Sequence, residues 1–568
     1  MGKAHIALRC LRNKNLKYIT MYKAFSCFVF GLMCCLLAKA QVPTFDVQHY
    51  RFAIQLNDAN DTVKGQAKVR IKFLKDVSSF QLDLVKQKGM APGLDGSNAG
   101  STHVRDTKKI NGEGKGMLVS AITEDGKNVA FTQDADVINI NTTAATNSVH
   151  NYTIIYQGIP ADGLIISTNK FGHRTFFGDN WPNRAHNWLP CADYPADKAQ
   201  VDFLVTAPDH YSVVANGLKV EETVLPNHLK LTHWKETAQL PTKVMVIGVA
   251  DFAIDHPGNA GTVPVYTYVF PENKDAGFKS YAMATGILQF YIKNVGPFAY
   301  GKLANVQSKT IFGGMENAGA IFYFENSTTT PDIEELMAHE IAHQWFGDAA
   351  SEQNFGHVWL SEGFATYMTN LYLEHKYGPD TLKKREAEDR KTVLSFEKRR
   401  HTPIVDTLVK SNYMQLLNAN SYQKGGWVLH MLRRKLGDAA FWKGIRNYYA
   451  KYNGGNAYTS GLQKIMEQAS GKDLKQFFQQ WLYTSGHPDL GISWKYDATK
   501  GTIEITVTQN QDNLYEAPLE LSAGNQLHTI SLKDRITTAS FKVTAKPADV
   551  KADPNVNLLG TFAVSEGN

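Results

Sequence analysis

The sequence is short of cysteine, of excess charge and of long apolar runs. Five cysteines occur in 568 residues, and Cys10, Cys27, Cys34 and Cys35 all fall before residue 41. Beyond that point only Cys191 remains. That part of the chain closes no disulfide within itself and must be held by its core. A lone cysteine with no obvious His–Asn partner reads as a packed thiol, not a nucleophile. The formal charge of +6 is not a basic surface either. Lys3, Arg9, Arg12, Lys14, Lys17, Lys23 and Lys39 stand in residues 1–40, which hold no acid, so the remainder carries −1. This removes the argument for nucleic acid or an acidic membrane as partner. The uncharged, mostly apolar run at 24–38 is shorter than the roughly 20 residues of a comfortable membrane span. No internal repeat is visible.

Residues 1–40 instead read as an export signal. A basic stretch ends at Lys23, the apolar run follows, and Ala38-Lys39-Ala40 puts small residues where a signal peptidase reads, just before Gln41. The expected product is exported, periplasmic or secreted, with no membrane span after cleavage; an uncleaved N-terminal anchor is the alternative. Residues 31–33 lack the small residue a lipoprotein carries beside its cysteine. Met21 competes with Met1 as the start, because 21–40 alone make a compact signal.

Hydrophobic residues at 43% and charged ones at 20% are ordinary for a globular protein, and the length predicts three or four units at roughly 150 residues each. From 45 to 253 the pattern is strand-like, clearest at 49–56, 62–73 and 152–156, with Gly-, Lys- and Asn-rich loops at 87–116. A break is read at 257–261. Helical patterns then dominate to about residue 486, interrupted at 307–324 by a strand, a glycine-rich turn and a strand. Alternation returns at 491–496, 502–508, 527–532 and 539–543. The expectation is a multi-domain α+β protein: signal peptide 1–40, all-β domain 41–255, mostly helical catalytic domain 256–487 and a small C-terminal β-sandwich 488–568.

The chemistry sits in His339-Glu340-Ile341-Ala342-His343, an HExxH motif. Two histidines at i and i+4 project from one helix face and can grip one zinc ion, with Glu340 beside them to activate water. The flanks predict that helix: Thr330 as N-cap, Pro331 at the first position, Asp332, Glu334 and Glu335 at its positive end, and Gly347 as its stop. The motif alone also fits two surface histidines on an ordinary helix. A catalytic zinc needs a third protein ligand and an open fourth position. Glu362, nineteen residues past His343, is the candidate, at the start of a second helical pattern running to Gly378.

HEIAHQWFGD followed by WLSEGFATY resembles the M1 family of metallo-aminopeptidases, of gluzincin type. The resemblance implies a saddle-like N-terminal β domain, a thermolysin-like catalytic domain and one Zn2+ per chain, held by His339, His343 and Glu362. It extends to Gly313-Gly314-Met315-Glu316-Asn317, similar to the family's exopeptidase loop; there Glu316 is implied to bind the substrate's α-amino group, and Gly313, Gly314, Met315 and Asn317 to line its backbone. SYQKGG at 421–426 resembles the segment of the family's catalytic tyrosine, implying that Tyr422 donates to the oxyanion. The stretches at 436–441, 477–481 and 486–488 also match. LPCADYP at 189–195 resembles the family's PCFDEP stretch, with Tyr194 in place of Glu. Counting back, Asp179 falls where the family has Gln or Glu contacting the substrate amine or first side chain. The implied activity is release of single amino acids from peptides with a free N-terminus, by a monomer or weak oligomer. The chain stops at Asn568 without the large helical domain of many members, so a more open cleft is expected. Two alternatives stand: a zinc hydrolase of another substrate, such as an epoxide, and a catalytically silent binding relative. Side-chain preference at the first residue is not legible.

Overall fold

The computed structural model describes residues 43–86 and 115–567. The export signal read at 1–40 lies outside the described residues, as do 87–114 of the stretch read as loop; Gly116 already opens a strand.

The N-terminal region is built on an eight-stranded sheet. Its strand Val63–Phe73 shows the driving pattern: Val63, Ala67, Val69, Ile71 and Phe73 are buried, while Lys64, Gln66, Lys68 and Arg70 face solvent. This is the alternation of a sheet with one face on the core. Phe45–Gln55 pairs antiparallel with that strand and parallel with Lys198–Pro208. A second sheet, in the order Ser212–Ala215, Ile247–Ala250, Arg174–Gly178, Leu164–Thr168, leads towards the catalytic region. Cys191 is a buried free thiol, as its lone occurrence suggested.

The break read at 257–261 is a hairpin. Ala253–Ala260 pairs antiparallel with Val263–Val269, with a register shift between Asp255 and Gly258 and Gly261 at φ +63° in the turn. The turn-forming residues read as a break here bend one strand into the next. The hairpin opens a five-stranded sheet that continues through Leu303–Gln307 and Ala320–Tyr323 to the edge strand Gly314–Met315. Helices α1 (Lys274–Tyr281), α2 (Ala284–Asn294), α3 (Ile333–His343), α4 (Trp359–Tyr377), α5 (Pro379–Glu397), α6 (Gly425–Leu436), α7 (Asp438–Tyr452) and α8 (Thr459–Ser470) make the body of this region. Among the described residues no helix is long and apolar enough to cross a membrane.

The C-terminal residues form two facing sheets. One has the order Ile536–Lys542, Thr502–Gln509, Asp489–Asp497, Thr561–Glu566; the other Gln526–Leu532, Ala517–Ala523, Val550–Ala552. Leu490, Ile492, Ile503, Ile505, Leu519 and Leu521 are buried, on the alternation read in the sequence.

Candidate metal centre and cleft

Helix α3 begins two residues later than its flanks suggested. Asp332 occupies the N-cap position without a side-chain cap, and Thr330 turns its hydroxyl back to donate to the Asn326 carbonyl at 3.2 Å. The helix also stops early, at His343, and Gly347 follows in the loop at φ +120°. Glu334 and Glu335 do lie in the first turn, where the helix dipole favours acids.

Across the loop, α4 presents Glu362 in its first turn. His339 Nε2 and His343 Nε2 are 3.1 Å apart, and Glu362 Oε2 lies 3.2 Å from the second and 3.5 Å from the first. A tetrahedral zinc with ligand bonds of about 2.0–2.2 Å holds its donors roughly 3.3 Å apart, so two imidazoles and a carboxylate at these separations fit one zinc ion. The orientation is fixed from behind. His343 Nδ1 sits 3.1 Å from the Phe346 carbonyl and 3.0 Å from Ser361 Oγ, which leaves Nε2 as the donor to metal. Against the opposing push of burial, His343 and His339 hold Glu362 well below the usual carboxylate range.

Glu340 is buried, and burial drives its carboxyl well above the ordinary range; Glu316 and Glu362 add to this and His343 opposes it. A carboxyl raised in this way is a stronger base than an ordinary glutamate. Tyr422 stands in a single π-helical turn, Asn420–Lys424, at the entry to α6, a distortion frequent at functional sites. Its ring stacks over that of His339, with centroids 5.9 Å apart. Burial, then the carboxylates of Glu362, Glu316 and Glu340, push its phenol well upward, so it stays a protonated donor.

The glycine-rich loop meets the same cavity, of about 540 Å³, which is lined by Gly313, Gly314, Met315, Glu316, His339, Glu340, His343, Glu362 and Tyr422 among others. Glu316 is 6% exposed, and its Oε1 makes no hydrogen bond among the described residues. Asn317 is fully buried on the same turn. Sequence reasoning missed what pins this loop. Gln344, directly after the second histidine, donates from Nε2 to the Glu316 carbonyl at 2.7 Å and to Asp348 Oδ2 at 2.9 Å; its Oε1 accepts from the Gly319 N–H at 2.7 Å. A polar residue immediately behind HExxH was the available signal. Also missed was the buried Lys243–Glu352 pair at 2.7 Å, whose lysine acts electrostatically on Glu316.

Asp179 does not stand where the sequence suggested. It is fully buried and is not among the residues lining the cavity. Its Oδ1 takes Arg184 Nη2 at 2.5 Å, and its Oδ2 takes Thr310 Oγ1 and the Ile311 N–H, each at 3.0 Å. Both oxygens are turned to these buried partners, away from the cavity. The Arg184 side chain folds back onto it, which spacing along the chain does not reveal.

Comparison with known proteins agrees with this picture. Residues 46–244 match the model of the peptidase M1 N-terminal domain, and 281–481 that of the peptidase family M1 domain. A leucyl aminopeptidase of Saccharolobus solfataricus is 24% identical over 485 residues, covering 79% of this chain and 58% of that protein. Aminopeptidase 2 of Candida albicans is 28% identical over 353 residues, 58% of this chain and 37% of that protein. The chain thus spans less than two thirds of the length of these relatives. Among solved structures, aminopeptidase A of Legionella pneumophila in complex with aspartic acid superposes with a TM-score of 0.77 at 14% identity, covering 93% of this chain and 60% of that one. A mutant M1 zinc metallopeptidase from Deinococcus radiodurans gives 0.63 at 21%, covering 77% and 94%. At such identities the structural likeness is one of fold.

Proposed function

The chain belongs to peptidase family M1, and from that premise we propose that it is a zinc-dependent aminopeptidase, cleaving the first peptide bond of peptides with a free N-terminus. The observation that carries this reading is Glu316. A buried carboxylate with a free oxygen, in the same cavity as the His339–His343–Glu362 centre, matches an ammonium and sets the cut one residue from the end.

When bound, zinc supplies Lewis acidity to the scissile carbonyl and to a water. Glu340 takes the water's proton on its carboxylate and hands it to the departing amine nitrogen, so the proton count closes. Tyr422 donates its phenolic hydrogen to the carbonyl oxygen as that oxygen becomes negative. Glu316 holds the ammonium throughout, and Gln344 keeps the loop carrying it against α3. Residues 1–40 take the enzyme out of the cytoplasm on the same reading, supported by their basic, apolar and small-residue order.

The test is hydrolysis of aminoacyl-arylamides beside their N-acetylated analogues, before and after chelation. The expected result is activity on the free-amine substrates alone, lost on chelation and restored by zinc. Undiminished activity in zinc-free protein refutes the metal assignment, and equal cleavage of the acetylated substrates refutes the role of Glu316.

A further inference from the structure

We propose that Glu397 is a positioning residue for Tyr422. With Lys424 on one carboxylate oxygen and His487 on the other, it fastens the turn that carries the phenol to the root of the C-terminal sheets. This rests on the aminopeptidase reading, in which Tyr422 is the oxyanion donor, and extends it to residues outside the cavity.

The π-helical turn Asn420–Lys424 ends on the Lys424 N–H, which donates to the Ala419 carbonyl at 2.8 Å. Such turns are rare, and this one is tied at both ends. At its start Asn420 Nδ2 donates to the Thr402 carbonyl at 2.8 Å and Ser421 Oγ to the Leu416 carbonyl at 2.7 Å. In its middle Tyr422 lines the cavity. Lys424, two residues on along the turn, leaves on nearly the opposite side and is fully buried. Its Nζ donates to Glu397 Oε1 at 2.6 Å and to the Gly486 carbonyl at 2.8 Å. Glu397 is the last residue of α5 and is also buried. Its second oxygen meets His487 Nδ1. Burial pushes this carboxyl up, but the His487 contact and Lys424 prevail and hold it at about 2. An ionised Glu397 therefore faces Lys424 directly behind the tyrosine.

The far side of the anchor belongs to the C-terminal sheets, whose first strand opens at Asp489, two residues after His487. Residues of that region hold the approach to it. Tyr515 donates from its hydroxyl to the Ser485 carbonyl at 3.4 Å, and its ring lies 5.0 Å from that of Trp481. Gln480 exchanges two hydrogen bonds with the Glu516 backbone, each of 2.9 Å. The same region grips the helices on either side of the turn. Asp553 pairs with Arg390 of α5 at 2.6 Å, and the Val556 carbonyl lies 3.2 Å from His430 Nε2 of α6. The phenol must meet an oxygen that turns negative only as the reaction proceeds, and a misplacement near 1 Å can cost about a hundredfold in rate. Releasing Lys424 frees the end of the turn and the phenol with it. His339, His343, Glu362 and Glu316 stand on α3, α4 and the glycine-rich loop, so metal and amine binding stay as they are. The loss falls on kcat and not on KM.

The experiment is a double-mutant cycle on the zinc-loaded enzyme, with kcat and KM read on one aminoacyl-arylamide. Glu397→Gln, His487→Ala and His487→Gln are made alone and together with Tyr422→Phe. Glu397→Gln and His487→Ala should each lower kcat about tenfold, with KM and zinc content unchanged. In the Tyr422→Phe background the same changes should cost less than about twofold, because residues that act through one group are not additive. His487→Gln, whose amide can still donate to Glu397, should recover most of the loss. If Glu397→Gln does not fold, the two variants of His487, a partly exposed side chain, decide. An equal loss in both backgrounds marks a merely structural role and overturns the inference, as does an unchanged kcat in His487→Ala. Inactivity of the zinc-loaded wild type overturns the aminopeptidase reading and this inference with it.

Discussion

Gly363 follows Glu362 of the candidate metal centre, and Gly425 comes three residues after Tyr422. A Cβ built on Gly363 would lie 2.9 Å from both the Cα and the carbonyl carbon of Gly425 and 3.1 Å from the Ser421 carbonyl oxygen. All three are backbone atoms, so no side chain can swing away. Ordinary carbon contacts need about 3.5–4.0 Å, so Gly363→Ala must separate α4 from the start of α6 by roughly 0.6–1 Å. Overpacking of this kind costs about 1–3 kcal/mol of stability. The larger effect is on the site, because this crossing sets the distance between Glu362 on one helix and Tyr422 on the other. A misplacement near 1 Å can cost about a hundredfold in rate. Gly363→Ala should therefore lower kcat by roughly ten- to a hundredfold while retaining zinc. Gly286→Ala, on α2 with open space at its Cβ, should be neutral or slightly stabilising. Steady-state kinetics on an arylamide, metal analysis and thermal melts decide. A folded, zinc-loaded Gly363→Ala enzyme with kcat within threefold of wild type would refute the claim that this contact sets the site.

Four further outcomes are expected. Tyr422→Phe should lose about 10²–10³ in kcat with little change in KM, the usual cost of one oxyanion donor; a KM effect without a kcat effect would assign the phenol to binding. Gln344→Ala should destabilise by about 1–3 kcal/mol for each buried group left unpaired and raise KM, read by urea denaturation and kinetics; unchanged KM would separate it from the amine loop. Lys198 and Lys302 are buried and held at about 7, both chiefly by burial, with Lys243 adding at Lys198. Their folded values are depressed below 10.5, so the unfolded chain binds more protons between about pH 7 and 10 and stability rises with pH there, by at most about 1.4 kcal/mol per unit for each lysine. Urea midpoints at pH 7, 8 and 9 should climb, and Lys302→Met should remove about half the slope; a flat wild-type profile contradicts the assignment. Finally, N-terminal sequencing of the exported protein should begin at Gln41, and material beginning at Met1 or Met21 would favour an uncleaved anchor.

What was legible in the sequence was what rests on local spacing. The i, i+4 histidines needed only a helix, and α3 supplies it. Glu362 was reachable because its own helix is marked by a periodic pattern closed by Gly378, which adopts φ +95° after α4. The strand Val63–Phe73 declares itself by alternation. Errors arose where a local signal had a competing partner. Thr330 and Pro331 looked like a helix start, but the Thr330 hydroxyl serves the turn before it. The residues at 257–261 read as a break before helical patterns because a hairpin uses the same turn-forming residues, and a strand follows instead.

The rest was hidden because it depends on groups far apart in the chain. Lys243 meets Glu352 across 109 residues, and Lys198 reaches the carbonyls of Asp348 and Ala349 across 150 and 151. No periodicity reports such pairs, and a lysine in a strand pattern reads as solvent-facing. Yet both lysines are buried, and removing one member of the Lys243–Glu352 ion pair would cost about 3–5 kcal/mol. Glu352 and the two carbonyls come from the segment after α3, and the lysines come from the N-terminal region. Asp179 repeats the arrangement, carrying Arg184 from its own region and Thr310 and Ile311 from the catalytic one. The β domain therefore does more than flank the catalytic region. It supplies the counter-charge behind Glu316 and the clamp on Thr310 and Ile311, so neither half completes the cleft without the other.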